Sequence, residues 1–223
     1  MKKLSVCLVA VFLCCMLAGC SFTSGSAGND RRFMVTSLGF SENGDNITLT
    51  AEIVTVNSES AEREPSPQVL SCTAKDIPAA LDGIADTLSR PMLLEHCGII
   101  VIDTALSAER FGEISDYCFK ENRITLSAYM LAAYDPAVLL EGEPVSSVAV
   151  GYDIMGIIGQ KTKTGKMKFE NRYFEIEGRR EMGEQVFTMP YFLRTEDGVT
   201  LDGLAVFEGD KFSHKAELRE GIK

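Results

Sequence analysis

Leu4 to Leu17 is apolar throughout except for Ser5; it follows Lys2 and Lys3 and runs into Leu17-Ala18-Gly19-Cys20. An apolar run of about fourteen residues is too short to cross a bilayer, which takes about twenty, and the positive residues ahead of it complete the pattern of an export signal. The first nineteen residues are therefore set apart from the folded protein. Whatever core the chain builds has to come from the residues after Gly19.

The end of that segment, an apolar residue and two small residues before a cysteine, resembles the lipobox of bacterial lipoproteins. The resemblance implies a signal peptide over residues 1–19, cleavage after Gly19, diacylglycerol on the Cys20 sulfur and acyl anchoring of the domain behind it. Ser21 to Asp30 is small, polar and rich in Ser and Gly. Residues 20–31 thus read as a lipidated cysteine with a flexible tether.

The full chain has 223 residues, 45% of them apolar, which suits one domain or two small ones and excludes a disordered protein. It holds 22 Lys and Arg against 32 Asp and Glu, and removing residues 1–19 with their two lysines takes the formal charge from −10 to −12. A domain this acidic gains no adhesion from anionic headgroups. Nucleic acid is excluded as a partner for the same reason, since phosphate contacts need a basic face.

Of the seven cysteines, Cys7, Cys14 and Cys15 leave with the signal and Cys20 takes the lipid, so Cys72, Cys97 and Cys118 remain. With no C-x-x-C among them and an odd number to pair, neither a disulfide framework nor a zinc knuckle is indicated. All three read as buried apolar residues.

Along the rest of the chain, Phe33 to Phe40 and Ile47 to Val56 are β-branched and aromatic runs around an Asn43-Gly44 turn, an antiparallel hairpin. Asn57 to Gln68, with Pro65 and Pro67, reads as a loop. Thr73-Ala74-Lys75-Asp76 fits a capping box, and Ile77, Leu81, Ile84 and Leu88 fall on one face of a helix running to about Ser89. Cys97 to Ile102 is short and wholly apolar, the pattern of a strand covered on both sides. Phe111, Ile114 and Cys118 mark a second helix, and Leu126 to Tyr134 another strand. Asp135-Pro136 supplies an N-cap and first-turn proline for a short helix.

A helix from about Val145 follows, with Val148, Ala149, Tyr152 and Met155 as its stripe. Gln160 to Lys168 reads as a solvated basic loop, and Phe169, Tyr173 and Ile176 as a further helix. Three strands close the chain, Val186 to Leu193, Val199 to Phe207 and Lys211 to Leu218, with turns at Thr195-Glu196-Asp197-Gly198 and Glu208-Gly209-Asp210. Pro190 predicts an edge or broken strand for the first of them. The fold class is α+β or mixed α/β: a mixed β-sheet with packed helices and a C-terminal β-hairpin region over residues 32–223.

Chemistry is sparse. Only His96 and His214 are present, neither in a nucleophile or metal motif, and His96 ahead of an apolar strand reads as a hydrogen-bonded packing residue. There is no G-x-S-x-G, H-E-x-x-H, Walker loop or G-x-G-x-x-G. No catalytic residue, metal ligand or cofactor-binding residue is assigned, no cofactor is expected, and the chain reads as no enzyme.

Several segments in order resemble one family, the Ger(x)C lipoproteins that form the C subunit of spore germinant receptors. Arg32 to Phe40, ending Ser37-Leu38-Gly39-Phe40, resembles the family's opening strand. Leu94-Glu95-His96-Cys97-Gly98-Ile99-Ile100-Val101-Ile102 is similar to its His followed by an apolar strand. Phe111 through Lys120-Glu121-Asn122-Arg123-Ile124 to Ala132 resembles its helix, turn and next strand. Leu204-Ala205-Val206-Phe207-Glu208-Gly209-Asp210-Lys211-Phe212, after Met189-Pro190, resembles its late hairpin. The chain departs from the pattern at Ser41, where Asp is usual, and at Lys120-Glu121, where Arg-Asp is usual. It also stops near Lys223, so the resemblance implies the family's N-terminal domain without its C-terminal domain.

That resemblance implies a non-enzymatic subunit that assembles with A-type and B-type integral membrane subunits in nutrient-triggered spore germination. It would be held by the Cys20 lipid on the outer face of the spore inner membrane or cell membrane. The alternative reading is a cell-envelope lipoprotein that binds a small ligand or wall component.

Overall fold

Gly44 adopts φ 59° in the two-residue turn between Asn43 and Asn46, a conformation open to glycine, and the turn joins β1 (Phe33–Asn43) to β2 (Asn46–Thr55). The expected hairpin is therefore present. In the computed structural model the described residues are 33–55, 67–89, 91–120, 124–165, 169 and 171–218, all in one compact unit, Arg32–Lys223. Residues 1–31, on which the signal-peptide and tether readings fall, lie outside the described residues, as does Cys20.

The chain continues through β3 (Pro67–Ala74), helix α1 (Ile77–Asp86), the two-residue β4 (Met92–Leu93), a 3-10 turn at Leu94–His96 and β5 (Ile99–Asp103). Helix α2 (Ala108–Lys120), β6 (Tyr129–Ala133), α3 (Pro136–Leu140), α4 (Val150–Lys163) and α5 (Tyr173–Glu181) come next. Strands β7 (Val186–Thr195), β8 (Gly198–Glu208) and β9 (Lys211–Ala216) end the described part.

These strands form one mixed sheet in the order β3-β2-β1-β5-β6-β7-β8-β9, with β4 paired to β1. Strands β1, β5, β6 and β7 run parallel, and antiparallel hairpins close both flanks. Helices cover both faces. On one, Ile77, Ile84, Phe111, Ile114, Tyr173 and Ile176 pack on Ile100, Ile102 and Met130. On the other, Leu139, Leu140, Val150, Ile154 and Ile158 pack on Ile99, Val101 and Leu131. The apolar run Ile99 to Ile102 of β5 is buried on both sides, as its composition predicts.

Two bulges decide which side chains reach which face. In β1 an extra residue at Thr36 separates Val35 from Ser37, so Val35, Leu38 and Phe40 all reach the same core although their numbers change parity. In β8 the extra residue Asp202 sends Val199 and Leu201 to one face and Ala205 and Phe207 to the other.

Several expectations are corrected. Pro67 to Ala74 is a strand, so the loop expected to reach Gln68 ends earlier; its described part adds an edge strand on β2. Thr73 belongs to that strand, where its hydroxyl pairs with Thr48 at 2.7 Å, and the cap of α1 is Asp76 alone, accepting the Ala79 N–H at 2.8 Å. Helix α4 starts at Val150, with Val150, Ile154 and Ile158 as its stripe, and Val148 is 40% exposed. The basic stretch is helical through Lys163. Pro190 lies inside the sheet: β7 sits between β6 and β8, and its ladder to β6 is the single pair Ala132–Tyr191, next to the residue that has no N–H to donate. His96 is exposed in the 3-10 turn, so it fills no gap in the core.

Candidate functional site

Two features stand out, one buried and one on the surface. Glu52 of β2 is fully buried, and its carboxylate accepts from four donors: Val150 N at 2.5 Å, Gly151 N at 2.9 Å, Thr36 Oγ1 at 2.6 Å and Ser37 Oγ at 2.8 Å. Helix α4 has no capping side chain of its own, because Ala149 stands at its N-cap. Glu52 supplies the cap from another element and sets its negative charge at the positive end of the helix. Gly151 is required here, since a Cβ would overlap the Ser37 hydroxyl. The bulge at Thr36 is what brings two hydroxyls side by side under the carboxylate.

The residues of the Ser37-Leu38-Gly39-Phe40 motif thereby acquire physical roles. Ser37 holds Glu52, Leu38 and Phe40 are core, and Gly39 lets α3 approach: a Cβ there would stand 2.6 Å from the Cβ of Pro136. Asp135 caps that helix as expected, accepting from Ala137 N at 2.9 Å and Val138 N at 3.1 Å.

The surface feature lies at the carboxyl ends of β6 and β7, the end of a parallel sheet where ligands and partners are usually met. A concavity of about 180 Å³ is walled by Tyr134, Asp135, Val138, Tyr191, Leu193 and Arg194. Arg194 Nη2 donates to the carbonyl of Glu143 at 3.0 Å, and its guanidinium lies over Gly142, where a Cβ would overlap it. At the neighbouring strand end Asp103 is almost buried. Burial pushes its carboxyl above the usual range, the Ala105 N–H opposes this and the Asp135 charge adds to it. Each aspartate accepts main-chain N–H groups through its Oδ1, Asp103 from Ala105 and Asp135 from Ala137 and Val138. The concavity offers rings, methyl groups, the Asp135 carboxylate and one guanidinium.

Cys97 and Cys118 are buried, and desolvation pushes both thiols up, Cys97 to about 12. Cys72 is only half-buried, on β3, contrary to expectation. His214 is exposed on β9 with Nδ1 at 3.2 Å from the Ser213 hydroxyl. Among the described residues no group of three or more His, Cys, Asp or Glu could hold a metal ion, and no helix is long and apolar enough to cross a membrane. Sequence reasoning missed Glu52 and Arg194. The one signal was a lone Glu within the apolar run Leu49 to Val54.

No curated protein matches the chain. Among solved structures, the crystal structure of the GerBC protein is similar over 81% of this chain and 51% of its own length, at 11% identity and TM-score 0.40, so the chain spans about half of that protein. The model of the spore germination protein N-terminal domain matches residues 29–192, which takes in β1 through most of β7 and leaves β8 and β9 outside. The chain therefore belongs to the spore germination protein N-terminal domain family, that of the Ger(x)C germinant-receptor C subunits.

Proposed function

We propose that this chain is a non-enzymatic, lipid-anchored subunit of a spore germinant receptor, acting in nutrient-triggered germination by assembly with A-type and B-type integral membrane subunits. The observation that carries the reading is the family match over residues 29–192. The Leu17-Ala18-Gly19-Cys20 sequence ahead of it supports lipid attachment at Cys20, with residues 1–19 as signal peptide, 20–31 as tether and 32–223 as the receptor-subunit domain. On this reading the protein sits on the outer face of the spore inner membrane or cell membrane. Acyl chains supply the adhesion that an acidic domain cannot obtain from headgroups, and confinement raises the effective concentration of domain and partner so that a weak interface suffices.

Deletion of the gene tests this. Nutrient-triggered germination should be slowed or lost, and restored by the wild-type chain but not by Cys20→Ala, which should also leave the membrane fraction. Normal germination of the deletion strain across a nutrient panel would contradict it.

A further inference from the structure

Tyr134, Val138 and Val145 are 75%, 53% and 67% exposed, and all three stand at the carboxyl ends of β6 and β7. Tyr134 and Val138 wall the concavity; Val145 lies against the β7–β8 turn, where a Cβ on Gly198 would stand 2.5 Å from its Cγ2. Large apolar side chains gathered in the open mark an interaction surface. These are also held in place. Asp135 caps the helix that carries Val138, Asp153 accepts the Val145 N–H at 2.6 Å and the Ser146 N–H at 3.2 Å, and Arg194 grips the carbonyl of Glu143.

Size and charge select the occupant. A volume of about 180 Å³ is below the roughly 300 Å³ at which small-molecule pockets begin, and it has room for one side chain. Asp135 is in its wall, Glu141 and Glu143 flank the Gly142 over which Arg194 lies, Glu196 and Asp197 follow Arg194 in the β7–β8 turn, and all five are exposed, while the one cation in the wall, Arg194, is already bonded to a main-chain carbonyl. Such a rim repels anionic lipid and acidic segments and attracts lysine and arginine. The surface also lies away from the point where the chain joins the sheet. Strand β1 runs parallel to β5 and β6, and Ala133 stands level with Ser41, roughly 25 Å along β1 from Phe33 at about 3.3 Å per residue.

We propose that this crevice is a docking surface for a protein segment that inserts one apolar side chain between flanking lysine or arginine residues. It rests on the assembly reading in taking a protein as occupant, and it adds where and by what chemistry the partner is held. Tyr134, Tyr191 and Arg194 are of the residue types that dominate binding energy at interfaces, and Val138 adds an exposed apolar wall.

The first probe is the fluorescent peptide acetyl-Lys-Arg-Leu-Lys-Arg-amide, titrated by anisotropy against the full chain in detergent. Val138→Glu and the pair Glu141→Lys with Glu143→Lys should each weaken binding at least tenfold, while Phe174→Glu, at the other end of β6, should leave it within twofold. Unchanged thermal midpoints keep these variants interpretable. A peptide with Asp and Glu in the flanking positions should not bind. Equal loss in all variants, or none in the first two, overturns the surface.

The second arm places a photo-crosslinking residue at Val138, or at Phe174, in spores and sequences the attached peptides. Attachment at Val138 to a segment with an apolar residue between lysines or arginines supports the proposal. Receptor subunits that co-purify yet never attach at Val138 overturn the surface and leave assembly standing. Attachment of such a segment from a protein outside the receptor keeps the surface and contradicts the assembly reading.

Discussion

Replacing Glu52 should loosen the fold by an amount that can be worked out from its four bonds. In Glu52→Ala the Thr36 hydroxyl keeps a second acceptor, the main-chain carbonyl of residue 52 at 3.2 Å, but the Val150 and Gly151 N–H groups lose theirs inside the protein. The buried Ser37 hydroxyl loses its acceptor as well; a buried donor without a partner costs about 1–3 kcal/mol, so the three together come to about 3–9 kcal/mol, a large share of the 5–15 kcal/mol that holds a typical domain folded. Glu52→Gln keeps one acceptor oxygen but sets an amide NH₂ against the remaining donors, and should cost about 2 kcal/mol. Removing a buried charge returns some desolvation energy, which is why the glutamine variant is the sharper test. Equilibrium urea denaturation followed by far-ultraviolet circular dichroism reads both. A Glu52→Gln protein within about 0.5 kcal/mol of wild type, on the scale of an uneventful surface change, would refute the idea that this carboxylate caps α4.

Phe111, Phe187 and Phe207 form a trio with ring centroids 5.3 to 5.9 Å apart, so Phe207→Ala should cost about 3–5 kcal/mol and weaken the near-ultraviolet circular dichroism; a cost under 1 kcal/mol would contradict the packing. Burial holds the Asp103 carboxyl above its unfolded value, so the folded protein binds that proton more tightly, and the contribution of Asp103 to stability should fall as pH rises from about 4 through the folded value. Asp103→Asn should flatten that slope and gain stability at pH 7, and an unaltered slope would refute the burial argument. Pulsed alkylation with peptide mapping should label half-buried Cys72 first, and Cys97 and Cys118 only on unfolding; early labelling of Cys97 would contradict its burial.

What could be read from the sequence was whatever depends on neighbours along the chain. The hairpin turn at Gly44, the apolar run of β5, the Asp135 cap and both late hairpins follow from local patterns, and all are present. Contacts across the sheet were not readable. β3 was hidden because Pro65 and Pro67 signal a loop and Gln68 to Thr73 alternates only weakly, so its pairing with β2 decides its state. Pro190 argued for an edge or a broken strand; β7 is interior, and beside Pro190 its ladder to β6 is reduced to one pair. Glu52 caps a helix 98 residues away, and nothing in its own run announces that partner. The crevice likewise joins the end of β6, α3 and β7, three stretches that only the fold brings together.

The most direct test of the receptor reading is affinity purification of the tagged chain from spore inner membranes, wild type beside Cys20→Ala, with the co-purifying proteins identified by mass spectrometry. The account predicts A-type and B-type integral membrane subunits with the wild type and their loss or sharp reduction with Cys20→Ala. Wild-type chain retained in the membrane without those subunits would contradict it.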